Sequence, residues 1–227
     1  MNILQVIPEL DAGGAERTTI EVAEAVVRSG GRCLVASRGG RLEADLEAVG
    51  GELIRLDMKT KNPLAIWRNA ARLAAVIEAE GFDLVHARSR APAWSAKWAA
   101  RRTGKPFVTT YHGTYTARTS MKRGYNAVMA AGDRVIANSQ FIADHVRAEH
   151  RVEDARLRVI PRGVDLVWFE PEAVAAERVS AVKARWGATD QDALIVLPGR
   201  LTRWKGQAFF IEALRGLKAA RPIRLVC

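Results

Sequence analysis

Three turns hold the residues whose types and spacing could do chemistry. In the first, Asp11-Ala12-Gly13-Gly14-Ala15-Glu16-Arg17 joins an apolar run, Ile3-Leu4-Gln5-Val6-Ile7, to a helical pattern. Two glycines let backbone approach a ligand closely, and a helix start offers free N–H groups with a partial positive charge. That combination suits phosphate or another anion. It is not the dinucleotide fingerprint, which needs a third glycine, nor a Walker loop, which needs Gly-Lys-Ser/Thr. The second turn, Tyr111-His112-Gly113-Thr114, follows directly on the strand-like Phe107–Thr110. In open α/β sheets ligands bind beyond the carboxyl ends of strands, so His112 stands where a binding residue would. His86, with Arg88 and Arg90 just past it, ends another such run. In the third turn, Leu197-Pro198-Gly199-Arg200-Leu201-Thr202-Arg203-Trp204-Lys205-Gly206, a strand leads to Arg200 and then to Lys205 at a helix start. A guanidinium fork and an ammonium aimed at one loop can clamp a diphosphate.

Other patterns carry less. Asp190-Gln191-Asp192 has the look of a metal-binding pair, but it precedes a strand instead of following one, and reads as a solvated turn. His145 and His150 are five apart on a helix and face different ways, so they do not converge on a metal. No Gly-x-Ser-x-Gly elbow, zincin spacing or reactive-cysteine context occurs.

The elements that must position these turns alternate between short apolar runs and longer helical patterns, the mark of βαβ units and a parallel sheet. Strands are expected at Ile3–Ile7, Cys33–Ser37, Leu53–Leu56, Leu84–His86, Phe107–Thr110, Val135–Ala137 and Leu157–Ile160. Glu16–Ser29, with Ile20, Ala23 and Val27 on one face, predicts a helix. So do the segment after Pro63, with Ile66, Ala70, Leu73 and Ile77 in register, and the stretch through Trp94 and Trp98. After Ile160 the pattern changes. A turn-rich Pro161–Asp165 and a helix through Val179, Val182 and Trp186 lead to a strand at Ala193–Leu197, a helix over about 206–220 and a strand at Ile223–Cys227. Two strands and one helix bury too little surface to stand alone, so this second unit reads as the beginning of a domain.

Of the 227 residues, 48% are hydrophobic and 26% charged, which is globular composition and argues against disorder. The formal charge is +10, concentrated in the middle and at the tail, and suits phosphorylated substrates or anionic lipid. Nucleic acid fits less well, since the basic groups are dispersed and no known module is present. No apolar run approaches the roughly 18 residues of a membrane span, and the first strand is too short for a signal-peptide core. Two cysteines, Cys33 and Cys227, make neither a disulfide framework nor a zinc site and suit a reducing cytoplasm.

Taken together, GGAER at 13–17, YHG at 111–113, IANSQFIADHV at 136–146, VIPRGVD at 159–165 and GRLTRWKG at 199–206 make nearly the whole chain resemble the family-4 glycosyltransferases of the GT-B fold, particularly those of bacterial envelope or lipopolysaccharide synthesis. The resemblance implies an α/β protein with two Rossmann-like domains facing a cleft. A complete acceptor-side domain would cover 1–166, a linker helix 167–187, and the start of a nucleotide-sugar-binding domain 188–227. It implies transfer of a sugar, with retention of configuration, from a nucleotide-diphosphate sugar to a glycolipid or polysaccharide, with neither metal nor cofactor. Gly13 and Gly14 would lie against the donor, and His112 near the reacting carbon. Arg200 and Lys205 would stabilise the leaving diphosphate. Arg17, Arg88, Thr114, Asn138, Ser139 and Arg162 would complete the substrate-binding set.

One departure follows. The family uses two glutamates, eight positions apart, later in the second domain, and this chain ends before them. Glu16 and Glu24 share the spacing but sit on the first helix. Weak donor binding by this chain is therefore expected. The resemblance also places the protein in the cytoplasm at the inner face of the membrane. Thr116–Ala131, with Arg118, Lys122, Arg123, Tyr125, Val128 and Met129, reads either as an interfacial helix meeting anionic lipid there or as an ordinary partly buried helix, the commoner case. Two other readings stand beside this one: a sugar-nucleotide 2-epimerase, which would need an acidic partner for His112, and a non-catalytic binding domain.

Overall fold

The computed structural model describes residues 1–115 and 117–227. The chain divides into two units, Met1–Arg162 and Gly163–Cys227. In the first, β1 (Ile3–Val6), α1 (Gly14–Arg28), β2 (Cys33–Ser37), α2 (Glu43–Ala48), β3 (Glu52–Arg55), α3 (Pro63–Glu80) and β4 (Leu84–Ala87) come first. They are followed by α4 (Arg90–Thr103), β5 (Phe107–Tyr111), α5 (Ser120–Asn126), β6 (Arg134–Ala137), α6 (Gln140–His150) and β7 (Leu157–Val159). The seven strands form one sheet in the order β3-β2-β1-β4-β5-β6-β7. Every pairing is parallel.

That order has a consequence for function. The chain winds outward from β1 to β3, then returns to place β4 on the other side of β1, so the carboxyl ends of β1 and β4 flank a topological switch point, where open α/β sheets bind ligands. The Gly13-Gly14 turn follows β1, and Arg88 is the first residue past β4.

Strand periodicity sorts the core into two clusters. Leu4, Val6, Leu34, Ala36, Val85 and Ala87 pack with Leu73, Ile77, Ala93, Ala96, Ile142 and Val146 of α3, α4 and α6. Ile7, Cys33 and Val35 pack with Ile20, Ala23 and Leu46 of α1 and α2. Each fully buried Leu or Ile contributes roughly 2 kcal/mol, so this unit carries its own core. Gln5 is buried as well, a polar residue in the middle of the central strand.

The helices begin and end on local signals. Asn62 caps α3, its side chain accepting from Leu64 N and Ala65 N, with Pro63 at the first helical position. Gly81, at φ 69°, closes it in the left-handed conformation. Two elements differ from expectation. The stretch read as one helix over Thr116–Ala131 is α5 followed by a 3-10 turn, Ala127–Ala130, and Thr116 itself lies outside the described residues. Gly124 weakens the helix. Val128 and Met129 are buried in the core and Tyr125 lies 6.4 Å from the Trp94 ring, so these apolar residues are already used by the fold. The short helix α2 had no sequence counterpart, because six residues with one buried apolar side chain, Leu46, show no periodicity.

In the second unit, a 3-10 turn at Pro171–Ala173 and α7 (Ala176–Arg185) occupy the segment expected as linker helix. Then β8 (Ala193–Val196), α8 (Gln207–Leu214) and β9 (Ile223–Val226) form a two-stranded parallel sheet with its crossover helix. Helix α8 is shorter than its expected 206–220.

Candidate active site

At the mouth of β1, a side chain from a distant loop lies over the glycine turn. Arg162, three residues past β7, donates from Nε to Thr18 Oγ1 at 3.0 Å and from Nη2 to the same oxygen at 2.8 Å. Its Nη2 also donates to the Gly14 carbonyl. A Cβ at position 14 would collide with this guanidinium, so the absence of a side chain there is what admits it. At Gly13 the neighbour is an acid: the Glu16 carboxylate would stand 2.6 Å from a Cβ, on the first turn of α1.

Beside this turn runs a buried polar track. Gln5 donates from Nε2 to the Thr19 carbonyl at 2.9 Å and to Cys33 Sγ at 3.1 Å, which aims its Oε1 the other way. That oxygen accepts from Arg88 Nε at 2.7 Å. Arg88 is 2% exposed, and its Nη2 has no partner among the described residues. His86, opposite Gln5 in the sheet register, bonds through Nε2 to Thr110 Oγ1 at 2.7 Å. His112, just past β5, has both ring nitrogens buried with no partner among the described residues.

The electrostatics follow from burial and like charge. Burial lowers Arg88 to about 10, with Arg162 adding to the fall and Cys33 and Glu21 opposing it. Burial, then the charges of Arg88 and Arg162, hold His112 at about 4. His86 lies well below its ordinary value, through burial first and then Arg88 and His112. Near neutral pH the cluster thus combines the guanidiniums of Arg88 and Arg162 with two neutral imidazoles, His86 and His112.

The second unit arranges its own basic loop. Arg200 is exposed, its carbonyl held by Gln207 Nε2 at 3.1 Å. Trp204 lies alongside, with Arg200 Cζ 5.9 Å and Lys205 Nζ 4.8 Å from its ring. Lys205 lies along Gly199, where a Cβ would sit 3.7 Å from its Cδ. Gly199, Arg200 and Lys205 therefore share one loop at the carboxyl end of β8.

The remaining predicted residues have other partners. Arg17 pairs with Asp45 at 2.9 Å. Ser139 caps α6, accepting from Ile142 N at 3.2 Å, and Asn138 beside it is half-buried. Thr114 is exposed. Among the described residues no three acidic, histidine or cysteine side chains gather as a metal site. Asp192 braces a turn by accepting from Thr189 N at 2.7 Å, and Asp190 pairs with Lys183 at 3.0 Å. Sequence reasoning missed Gln5 and Thr18, which orient Arg88 and Arg162. A glutamine inside an otherwise apolar strand was the available signal for the first.

The fold is a doubly wound α/β sheet, and its switch point is flanked by the glycine turn and by Arg88. Residues 12–168 match the model of Glycosyltransferase Family 4, and the chain belongs to that family. It is 30% identical over 242 residues to a D-inositol 3-phosphate glycosyltransferase of Nocardiopsis dassonvillei, covering 93% of this chain and 54% of the relative. A glycosyltransferase from Rickettsia africae superposes with a TM-score of 0.86 at 36% identity, over 99% of this chain and 59% of that one. Anabaena HepE in complex with UDP-glucose superposes at 0.77 with 22% identity, over 100% of this chain and 59% of that one. The chain thus spans about half the length of the curated relatives it matches, and its architecture is the first domain of a GT-B fold with part of the second.

Proposed function

We propose that the chain carries the acceptor side and the beginning of the donor side of a retaining glycosyltransferase. It would move a sugar from a nucleotide-diphosphate sugar to an envelope glycolipid or polysaccharide without a metal. The observation that carries this reading is the unneutralised basic cluster at the switch point, in a chain that belongs to a glycosyltransferase family. The sugar donor is supported by HepE, whose structure holds UDP-glucose. In this reading Gly13 and Gly14 lie against the donor. Neutral His112 hydrogen-bonds the sugar near the reacting carbon. Arg200 and Lys205 take up the negative charge that builds on the diphosphate as the glycosidic bond breaks, an electrostatic contribution present before the reaction starts.

The test is binding of a panel of nucleotide-diphosphate sugars, read by saturation-transfer NMR. Wild type binds at least one, and Arg200→Ala and Lys205→Ala each weaken it at least tenfold. Equal binding by all three proteins overturns the reading.

A cytoplasmic location at the inner membrane face belongs to the same proposal. No helix among the described residues is long and apolar enough to cross a membrane, so contact would be electrostatic, through Arg118, Lys122 and Arg123. Arg123 is partly committed to Glu149 at 3.2 Å. Reversing the charge of Lys122 and Arg123 is expected to lower co-sedimentation with anionic liposomes; unchanged co-sedimentation counts against the contact.

A further inference from the structure

Folds bury most of their tryptophan surface, yet helices α3 and α4 turn two indoles outward. Trp67 is 59% exposed and Trp98 39%, and Leu64, one turn before Trp67, is 54% exposed. The two indoles belong to one surface. They line the same cleft of about 180 Å³ between the helices, together with Ala70, Ala71 and Arg102. From Trp98 the aromatic surface continues to Trp94, with ring centroids 6.0 Å apart and edge to face, and from there to Tyr125 of α5 at 6.4 Å.

The charge around these rings has one sign. On α3, Arg68 follows Trp67 and Arg72 follows Ala71; on α4, Lys97 precedes Trp98 and Arg101 precedes Arg102. One position along a helix is about 100° round its axis, so these cations border the cleft instead of filling it. Among the described residues none of the four, nor Arg102, enters an ion pair. The reason is written in the sequence: residues 58–77 and 84–132 contain no Asp or Glu. Helices α4 and α5 therefore carry no acid. Those of α3, Glu78 and Glu80, are confined to its last turn, where Glu80 pairs with Arg32 at 3.1 Å. Ordinary solvated surfaces intersperse both signs, and this one does not.

An exposed apolar patch rimmed by polar groups marks an interaction site, and here the rim selects the partner. Indoles favour the headgroup level of a bilayer, where the ring is half apolar and half wet. Lys and Arg lay their stems along apolar surface while their heads reach lipid phosphates. We propose that the α3–α4 face docks on an anionic lipid bilayer, seating Trp67 and Trp98 at headgroup level with Arg68, Arg72, Arg101 and Arg102 against the phosphates. This goes beyond the electrostatic contact through Arg118, Lys122 and Arg123, which inserts no apolar group. It rests neither on that contact nor on the transferase reading.

The experiment measures co-sedimentation of the full chain with vesicles of mixed phosphatidylcholine and phosphatidylglycerol, against phosphatidylcholine alone. It is repeated with lipid brominated near the headgroup, which quenches indoles seated there. Wild type is expected to partition at least tenfold more strongly to the mixed vesicles and to lose fluorescence to the brominated lipid. Trp67→Ala combined with Trp98→Ala is expected to weaken partitioning at least fivefold and to remove most of that quenching. Arg101→Glu with Arg102→Glu should weaken it at least fivefold at low salt. Should the tryptophan double variant fail to fold by circular dichroism, Trp67→Ala alone takes its place, with a weakening of at least twofold expected. Wild-type partitioning or unchanged quenching in the folded tryptophan variant overturns the proposal. Lys122→Glu with Arg123→Glu separates the two contacts: loss there, with wild-type partitioning by the tryptophan variant, keeps the electrostatic contact and overturns this one. A wild type that sediments as a dimer without lipid, and a tryptophan variant that sediments as a monomer, would give the face to a second copy and overturn the proposal as well.

Discussion

His112 shows how position changes what a residue can do. In the sequence it is a histidine after a strand; in the fold it is an imidazole buried beside two arginines and held at about 4. An unfolded histidine titrates near 6.5, so between about pH 6.5 and 4 the unfolded chain binds a proton that folded His112 refuses. Its contribution to stability is therefore complete above that window and is lost as the pH falls through it, by up to about 3 kcal/mol. His86 acts in the same direction. Replacing His112 by Asn is expected to flatten, but not abolish, the dependence of urea-unfolding stability on pH between 4.5 and 7. An unchanged slope would show that His112 titrates normally. Which residues follow strand ends was readable from apolar runs alone. That Arg88 is buried with an unpartnered edge was not, because its surroundings come from β1, β2 and α1, far away in sequence.

At the scale of elements, the long periodic helices and the parallel strands were legible, since burial of one helix face or a whole strand writes itself into residue spacing. Elements stabilised by few contacts were not: α2, and the break between α5 and the following 3-10 turn, depend on Leu46 and on Val128 and Met129 finding places in a core built elsewhere. Helix α3 is the opposite case, specified locally at both ends. Asn62→Ala removes the acceptor for two backbone N–H groups and is expected to cost about 1 kcal/mol in urea unfolding without changing the slope of the transition. A cost below 0.3 kcal/mol, on that approximate scale, would mean water replaces the cap.

The whole molecule consists of two units of unequal standing. The first has seven strands and two buried clusters. Among the described residues of the second, only Gln207 is buried, and Phe209 and Leu201 are 79% and 77% exposed. Local stability follows buried apolar contact, so native-state hydrogen exchange should run on the order of 100-fold faster in β8, α8 and β9 than in β1, β4 and β5. Equal protection in both sheets would contradict that division.

Apolar periodicity, glycine placement and a handful of motifs were enough, without coordinates, to determine an α/β fold of βαβ units and which turns follow its strand ends. These are properties of neighbours along the chain, where helix and strand periods leave a direct trace. Tertiary structure alone decided that Arg162 lies over Gly14, that Gln5 orients Arg88, and that Arg17 is spent on Asp45. Those contacts join residues tens of positions apart in sequence, and their energies depend on distance and burial, which a linear order of residues does not contain.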